Sequence, residues 1–482
     1  MKPQKVLIFI VMVMAMLASI MLLFPKNGIK ISDNLILYFP SFHDMFSPRE
    51  KGIDIDSLLA SQQHLNQLLP DDDSITALDI EELKKLVTPL EFPDDNPHAL
   101  DAFFAKLVNI EAQHKLRILH YGDSQIEGDR ITAFLRNRLQ AKFGGKGMGL
   151  NTAGVLYSQL SMLQQDSGNW LRYQGFLGAN EWVWHKKFGV MMAFSRFTYI
   201  LDSAAQPTPA IKKAWLQFSR SDLGYANTKQ FRNINIYYGN AKAKVSIVLS
   251  SDGNQLVADS LQSGEGLHVF TYRSPEYLEN VRFDFEGTDS PDFYGISFED
   301  DAGIYVDNIA LRGSSGTMFT STDANLLLQT YNHMGVDLFI LQFGGNVMPY
   351  ISDAKAAAQH ANFFYYQMAL LKRLVPDAGI IVIGPSDMSV KEKDYYMTYP
   401  ILETVRDELK AATHKAGGVY WDMYKAMGGK NSMISWVNAN PPLAAPDFVH
   451  FTPQGTNVAA NMFYNAFILE YTSYCDRNKK TK

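Results

Sequence analysis

Three polar residues give the first chemical signal. Ser124 stands in Gly122-Asp123-Ser124-Gln125, directly after Leu116 to Tyr121, which reads as a strand. Gly122 permits a sharp turn there. The serine would leave the sheet near the N-terminus of the next helix, a position that favours developing negative charge. A serine hydroxyl is a poor nucleophile until a base removes its proton. His450 offers that base, with an acid three residues earlier in Asp447-Phe448-Val449-His450. A loop of this spacing folds the imidazole back onto the carboxylate. The carboxylate then fixes the tautomer and stabilises the imidazolium formed when Ser124 is deprotonated.

Acyl transfer also needs donors for an oxyanion. Asn346, in Gly344-Gly345-Asn346, follows the apolar run Val336 to Phe343. Gly313-Ser314-Ser315-Gly316 follows Ile304 to Leu311, and its glycines let a backbone N–H approach a ligand closely. Losing one such donor typically costs about 2.7–4 kcal/mol of transition-state stabilisation. This chemistry requires no metal and no organic cofactor. Asp123, Glu127 and Asp129 could suggest a metal site. The strand end His120-Tyr121-Gly122-Asp123 lacks the Asp-x-His that a two-metal site needs, so they read as capping or solvated carboxylates. Gly144-Gly145-Lys146-Gly147-Met148-Gly149 lacks the spacing of a phosphate-binding loop and reads as a mobile connection bordering the active site.

The elements that must position these residues alternate between strand and helix. Leu116–Tyr121, Ile304–Leu311, Val336–Phe343, Gly379–Ile383 and Val419–Asp422 read as strands. Asp129–Phe143, Asp323–Met334, Ala354–Leu374, Ile401–Lys415 and Gly455–Tyr471 read as helices. Near-continuous apolar strands alternating with helices indicate an α/β fold, a parallel sheet covered on both faces. Between them, short alternating segments such as Ala214–Phe218, Ile234–Tyr238 and Val281–Phe285 predict an inserted antiparallel β-sandwich. Its Trp170, Trp182, Trp184, Trp215, Tyr237 and Tyr238 are expected mainly in its core. The expected organisation is a membrane helix over 1–25, a stalk over 26–97, an α/β domain over 98–154 and 304–482, and the sandwich over 155–303. The stalk carries the turn formers Pro40, Pro48, Pro70 and Asp71-Asp72-Asp73 and a short helix over Ile80–Leu86, and is expected to pack partly on the catalytic unit.

Four of these segments together carry a family resemblance. Gly122-Asp123-Ser124-Gln125 resembles the first block of SGNH/GDSL hydrolases, with Gln in place of the usual Leu. Gly313-Ser314-Ser315-Gly316 resembles the second block, Gly344-Gly345-Asn346 the third and Asp447-x-x-His450 the fifth. The resemblance implies a three-layer α/β/α, flavodoxin-like domain with Ser124 as nucleophile, His450 as base and Asp447 as its orienter. It also implies an oxyanion hole from the Ser124 and Gly316 N–H groups and the Asn346 side chain. Gly313 is the alternative second-block glycine, and Val347 departs from the Asp often found after the Asn. The arrangement is similar to bacterial peptidoglycan and polysaccharide O-acetylesterases and O-acetyltransferases with an inserted β domain. The reaction so implied is removal of O-acetyl groups from a cell-envelope or extracellular glycan through an acyl-enzyme on Ser124. The alternatives are acetyl transfer to an envelope polysaccharide, served by a membrane-bound acyl-donor protein, and a non-catalytic glycan-binding role.

Composition narrows the partners. The chain has 482 residues, 44 basic and 50 acidic side chains, and a formal charge of -6, which gives no electrostatic reason to expect nucleic acid. Cys475 is its single cysteine, so an intramolecular disulfide is impossible. Val6 to Phe24 carries no charge and is preceded by Lys2 and Lys5, while Lys26 and Lys30 follow it. About 20 apolar residues span a bilayer as a helix. The expectation is a single-pass bacterial inner-membrane anchor with the remaining chain periplasmic; the alternative is a cleaved signal peptide and secretion.

Overall fold

The computed structural model describes residues 3–25, 29–32, 35–37, 39, 52–68, 80–110, 114–177, 183–200, 210–392 and 395–479. Lys2, Lys26, Pro40, Pro48, Pro70, Asp71, Asp72, Asp73 and Trp182 lie outside the described residues.

Helix α1 (Pro3–Leu23) is uncharged from Val6 onward and buries none of its residues. Its length and composition suffice to cross a membrane, and a signal sequence passes the same test. Helices α2 (Ile55–Leu68) and α3 (Ile80–Leu86), strand β1 (Leu90–Glu91) and helix α4 (Asp101–Val108) follow. The stretch read as a stalk is in part built into the α/β domain. Leu65 and Leu83 pack on Leu469, the Ser435 hydroxyl donates to the Ile53 carbonyl, and Asn66 Oδ1 accepts from Asn461 and Asn465.

Strand β2 (Lys115–Gly122) and helix α5 (Arg130–Phe143) begin the α/β unit. The chain then leaves it for eleven strands: β3 (Gly149–Asn151), β4 (Met162–Asp166), β5 (Leu171–Gln174), β6 (Ala193–Arg196), β7 (Lys212–Arg220), β8 (Phe231–Gly239), β9 (Val245–Ser251), β10 (Asn254–Leu261), β11 (His268–Leu278), β12 (Asn280–Gly287) and β13 (Asp292–Glu299). They form two antiparallel sheets, β11-β8-β13-β6-β5 with β3 on β13, and β10-β9-β12-β7-β4. Alternate residues such as Leu216, Phe218, Ile247, Phe283, Ile296 and Phe298 fill the space between them.

The α/β unit resumes with β14 (Gly303–Ala310), α6 (Ala324–Met334), β15 (Val336–Gln342), α7 (Ala354–Leu374) and β16 (Gly379–Ile383). A hairpin, β17 (Ser389–Glu392) and β18 (Tyr395–Thr398), precedes α8 (Leu402–Lys415), β19 (Val419–Trp421), the short helices α9 (Met423–Ala426) and α10 (Ser432–Val437), and α11 (Pro453–Lys479). The central sheet runs β14-β2-β15-β16-β19-β1; the first five strands are parallel and β1 pairs antiparallel to β19. Counting only the parallel strands, the order is 2-1-3-4-5, the doubly wound arrangement whose ligands sit between the ends of the first and third strands. Apolar clusters lie on both faces of the sheet, so the unit has three layers.

A buried ion network joins sandwich to sheet. Arg117 on β2 contacts Glu299 at the end of β13 and Asp307 on β14. Asp307 also accepts from Leu150 N at 2.8 Å. Burial opposes ionisation of Glu299, but Arg117 and Lys115 outweigh it and hold the carboxyl down at about 2. The glycine-rich 144–149 segment threads this junction and does not border the active site. A side chain on Gly147 would meet the Phe298 carbonyl, and one on Gly149 the Asp307 carboxylate.

Candidate active site

Ser124, Asn346 and Gly313 follow β2, β15 and β14, three adjacent strands. Their convergence is a consequence of strand order alone. The last turn before α11 brings His450 to the same edge. The Ser124 hydroxyl and His450 Nε2 are 2.9 Å apart, and His450 Nδ1 and an Asp447 carboxylate oxygen are 2.7 Å apart. Asp447 can only accept here, so Nδ1 carries the proton and Nε2 receives the serine hydroxyl. The other Asp447 oxygen accepts from the Val449 and His450 N–H groups, each at 3.0 Å. Burial works against the Asp447 anion, yet these donors prevail and its pKa falls below the ordinary carboxylate value.

The loop bearing His450 is held on several sides. Gln125 Nε2 donates to the Val449 carbonyl at 2.7 Å. Ala445 N donates to the His450 carbonyl, and Ser389 N on β17 donates to the Phe448 carbonyl. Phe448 has φ +59°, unusual for a bulky residue, and its ring stacks on Tyr396 of β18 at 3.7 Å. Gln125, Arg130 and Tyr396 are the supporting residues that sequence reasoning missed. Gln125 was visible only as a polar residue where the resembling block has Leu. Arg130, which donates to the Ser124 carbonyl, left no sequence signal.

The oxyanion side differs from expectation at one residue. Gly316 is not brought to the site: its N–H donates to Ser314 Oγ at 3.2 Å, and a Cβ there would meet Phe343 and Phe364. Gly313 has φ +81°, and its N–H has no acceptor among the described residues; nor has that of Ser124. Asn346 Nδ2 donates to Asp123 Oδ2 at 3.0 Å and to the Ser314 carbonyl at 3.1 Å. The Asn346 amide therefore faces the site with both protons engaged, and one must be released to meet an oxyanion. Burial pushes the Asp123 carboxyl up to about 6, against its hydrogen bonds from Gln125 and Asn346 and the nearby His450.

The other carboxylates singled out have local duties. Asp129 is held by Arg136 and Ser161, and Glu127 lies 3.5 Å from Arg312. Ser124, His450 and Asn346 line a cavity of about 270 Å³, walled by Phe343, Tyr350, Pro385, Met388 and Tyr399. A larger depression of about 690 Å³ lies on the sandwich between Gln217 and Arg282, and its lining holds no nucleophile–base pair. Of the sandwich aromatics, Trp170 packs on Phe197, Phe285 and Phe293, and Tyr237 and Tyr238 are buried. Trp215 is half-buried under Arg282, and Trp184 is exposed.

This topology, with a serine, a histidine and an acid meeting beyond the switch point, is that of an SGNH hydrolase fold. Among solved structures the chain is similar to a peptidoglycan O-acetylesterase, with TM-score 0.60 and 20% identity over 80% of this chain and 99% of that one. The α/β elements alone cannot fill that share, so the likeness takes in the β-rich region as well. Partial likenesses, each over 34% of this chain, reach a GDSL-like lipase from Parabacteroides merdae (14% identity, 74% of that chain, TM-score 0.27) and an acetyl xylan esterase from Geobacillus stearothermophilus (17%, 73%, 0.26). No family model matches the chain, and no curated protein matches it.

Proposed function

We propose that this chain is a serine O-acetylesterase acting on an O-acetylated glycan of the cell envelope or its surroundings. The hydrogen-bonded chain from Ser124 through His450 to Asp447 carries this reading. His450 takes the Ser124 proton as the hydroxyl attacks the ester carbonyl. The Ser124 and Gly313 N–H groups and the Asn346 amide then receive the oxyanion. His450 returns the proton to the departing sugar hydroxyl, leaving an acetyl-serine. Water, deprotonated by His450, attacks the acetyl carbonyl; the bond to Ser124 Oγ breaks, His450 returns the proton to Ser124, and acetate leaves.

Acetyl transfer to a second glycan would use the same intermediate but must keep water away. The His450 side chain is 37% exposed and that of Asp447 50%, which favours water as the acceptor and requires no acyl-donor partner. The likeness to a peptidoglycan O-acetylesterase fits a glycan substrate. In this reading α1 anchors the enzyme in the inner membrane and the catalytic unit is periplasmic. The test is acetate release from a panel of acetylated glycans, with Ser124→Ala as the control. Ser124→Ala should reduce release to background while circular dichroism stays unchanged; undiminished release would remove Ser124 as nucleophile.

A further inference from the structure

One aromatic side chain at the lip of the catalytic cavity is turned out into water. Tyr350 lines the same cavity as Ser124, His450 and Asn346. Yet it is 85% exposed, the most exposed large hydrophobic side chain among the described residues, ahead even of Leu23 at the end of α1 (83%). Its phenol makes no hydrogen bond and its ring meets no other ring or cation among the described residues; its backbone N–H alone is engaged. A lone exposed aromatic is ordinary on a surface. This one stands at the mouth of a nucleophile's cavity, on a backbone that is firmly held.

The support begins at the oxyanion side of the site. Gly345–Val347 form a tight turn after β15, and Met348 N closes it on the Gly345 carbonyl at 3.2 Å. Tyr350 N and Ile351 N then donate to the Val347 carbonyl at 2.9 and 3.0 Å. Val347 and Met348 are buried in the core, and Ile351 packs against it. Pro349, between them, has its φ locked by its own ring. Val347, which stands where an Asp is often found after the Asn, is thus an apolar anchor of this turn. The segment that aims the Asn346 amide therefore also presents the Tyr350 ring four residues on, with its faces largely uncovered by protein.

We infer that Tyr350 is the stacking platform for the pyranose ring that bears the acetyl ester, and that it selects sugar esters over esters of small alcohols. This rests on the esterase reading above. A pyranose with equatorial substituents shows axial C–H bonds on its faces. Those faces are apolar and slightly positive, and they match the negative face of an aromatic ring. A tyrosine ring has few torsions to freeze, so it gives this contact at low entropic cost. The ester reaches down to Ser124 while the sugar lies on the lip. Because platform and Asn346 share one turn, seating the sugar also brings the ester carbonyl to the oxyanion donors.

Two esters test this, β-D-glucose pentaacetate and ethyl acetate, since only the first offers a ring face. The ratio of their kcat/KM values, measured within one preparation, does not depend on the fraction of enzyme that folds. Tyr350→Ala should lower that ratio about tenfold, through KM on the sugar ester, and Tyr350→Phe should keep it. A ratio that Tyr350→Ala leaves intact overturns the platform. So does a Tyr350→Phe protein that behaves like Tyr350→Ala, because the hydroxyl and not the ring face would then be the contact. A binding arm needs no turnover. In Ser124→Ala, magnetic saturation of the protein's aromatic protons should pass to the axial ring protons of β-D-glucose pentaacetate. Adding Tyr350→Ala should remove most of that transfer, and equal transfer in the two proteins overturns the proposal. Wild-type inertness toward both esters, alongside Tyr350-dependent transfer, would instead remove the esterase reading and keep the platform.

Discussion

Gln125 Nε2 donates to the Val449 carbonyl at 2.7 Å, so the residue after Ser124 grips the residue before His450. Two chain segments far apart in sequence are thereby set in register before any substrate arrives. A misplacement of about 1 Å at such a site can cost 10²-fold in rate, so the contacts around the triad are kinetic quantities.

Asn346→Ala removes the amide that sits between Asp123 and the Ser314 carbonyl. Turnover of 4-nitrophenyl acetate should fall about 100-fold or more with KM little changed. A rise in KM at constant kcat would assign Asn346 to ground-state binding.

Gly455 supports the base loop from behind. A Cβ there would collide with the Leu443 carbonyl, and Leu443 receives Thr452 N in the ladder that carries His450. Gly455→Ala should therefore lower kcat by about 10-fold or more through displacement of the imidazole. Full activity at unchanged stability would show that the ladder can yield without moving His450.

Asp123 makes stability depend on pH. Its carboxyl is raised from 3.8 to about 6, mainly by burial, so the folded state binds the proton more tightly than the unfolded chain. The contribution is favourable below the unfolded value and is lost as pH rises toward 6, by up to about 3 kcal/mol. Asp123→Asn should gain stability relative to wild type as pH goes from 4 to 7. Parallel Tm curves for the two proteins across that range would refute this. Asp387, also raised to about 6 by burial, contributes the same trend to both and cancels in the difference.

Arg117→Met should destabilise the protein by about 3–5 kcal/mol, because Asp307 would remain buried without its cation and Glu299 would keep only Lys115. Denaturant unfolding measures it, and a loss below about 1 kcal/mol would mean that water compensates Asp307 in place of the guanidinium. The network spans sheet and sandwich, so both should loosen together.

The parallel sheet was legible because its strands are apolar along both faces, as in Val336–Gln342, where every residue is buried. The triad was legible because Asp447 and His450 carry their spacing with them and Ser124 sits at a strand end. The second-block glycine was not. Gly313 and Gly316 both adopt positive φ, and what separates them is that Ser314 Oγ takes the Gly316 N–H. The stalk was expected to pack partly on the catalytic unit, but its individual partners were not legible, for a related reason. Leu65, Asn66 and Leu90 find their partners at Leu469, Asn461 and Trp421, contacts that no local pattern announces. Helix α11 likewise continues past Tyr471, since Tyr471 and Tyr474 pack on Phe104.

The clamp at Ile53 and Asn66 has a mechanical consequence. If α1 is embedded, residues 24–52 separate it from the clamp at Ile53, and even a fully extended chain of that length reaches at most about 100 Å. The catalytic mouth then patrols a shallow layer above its anchoring surface, and acetyl esters beyond that radius escape it whatever their chemistry.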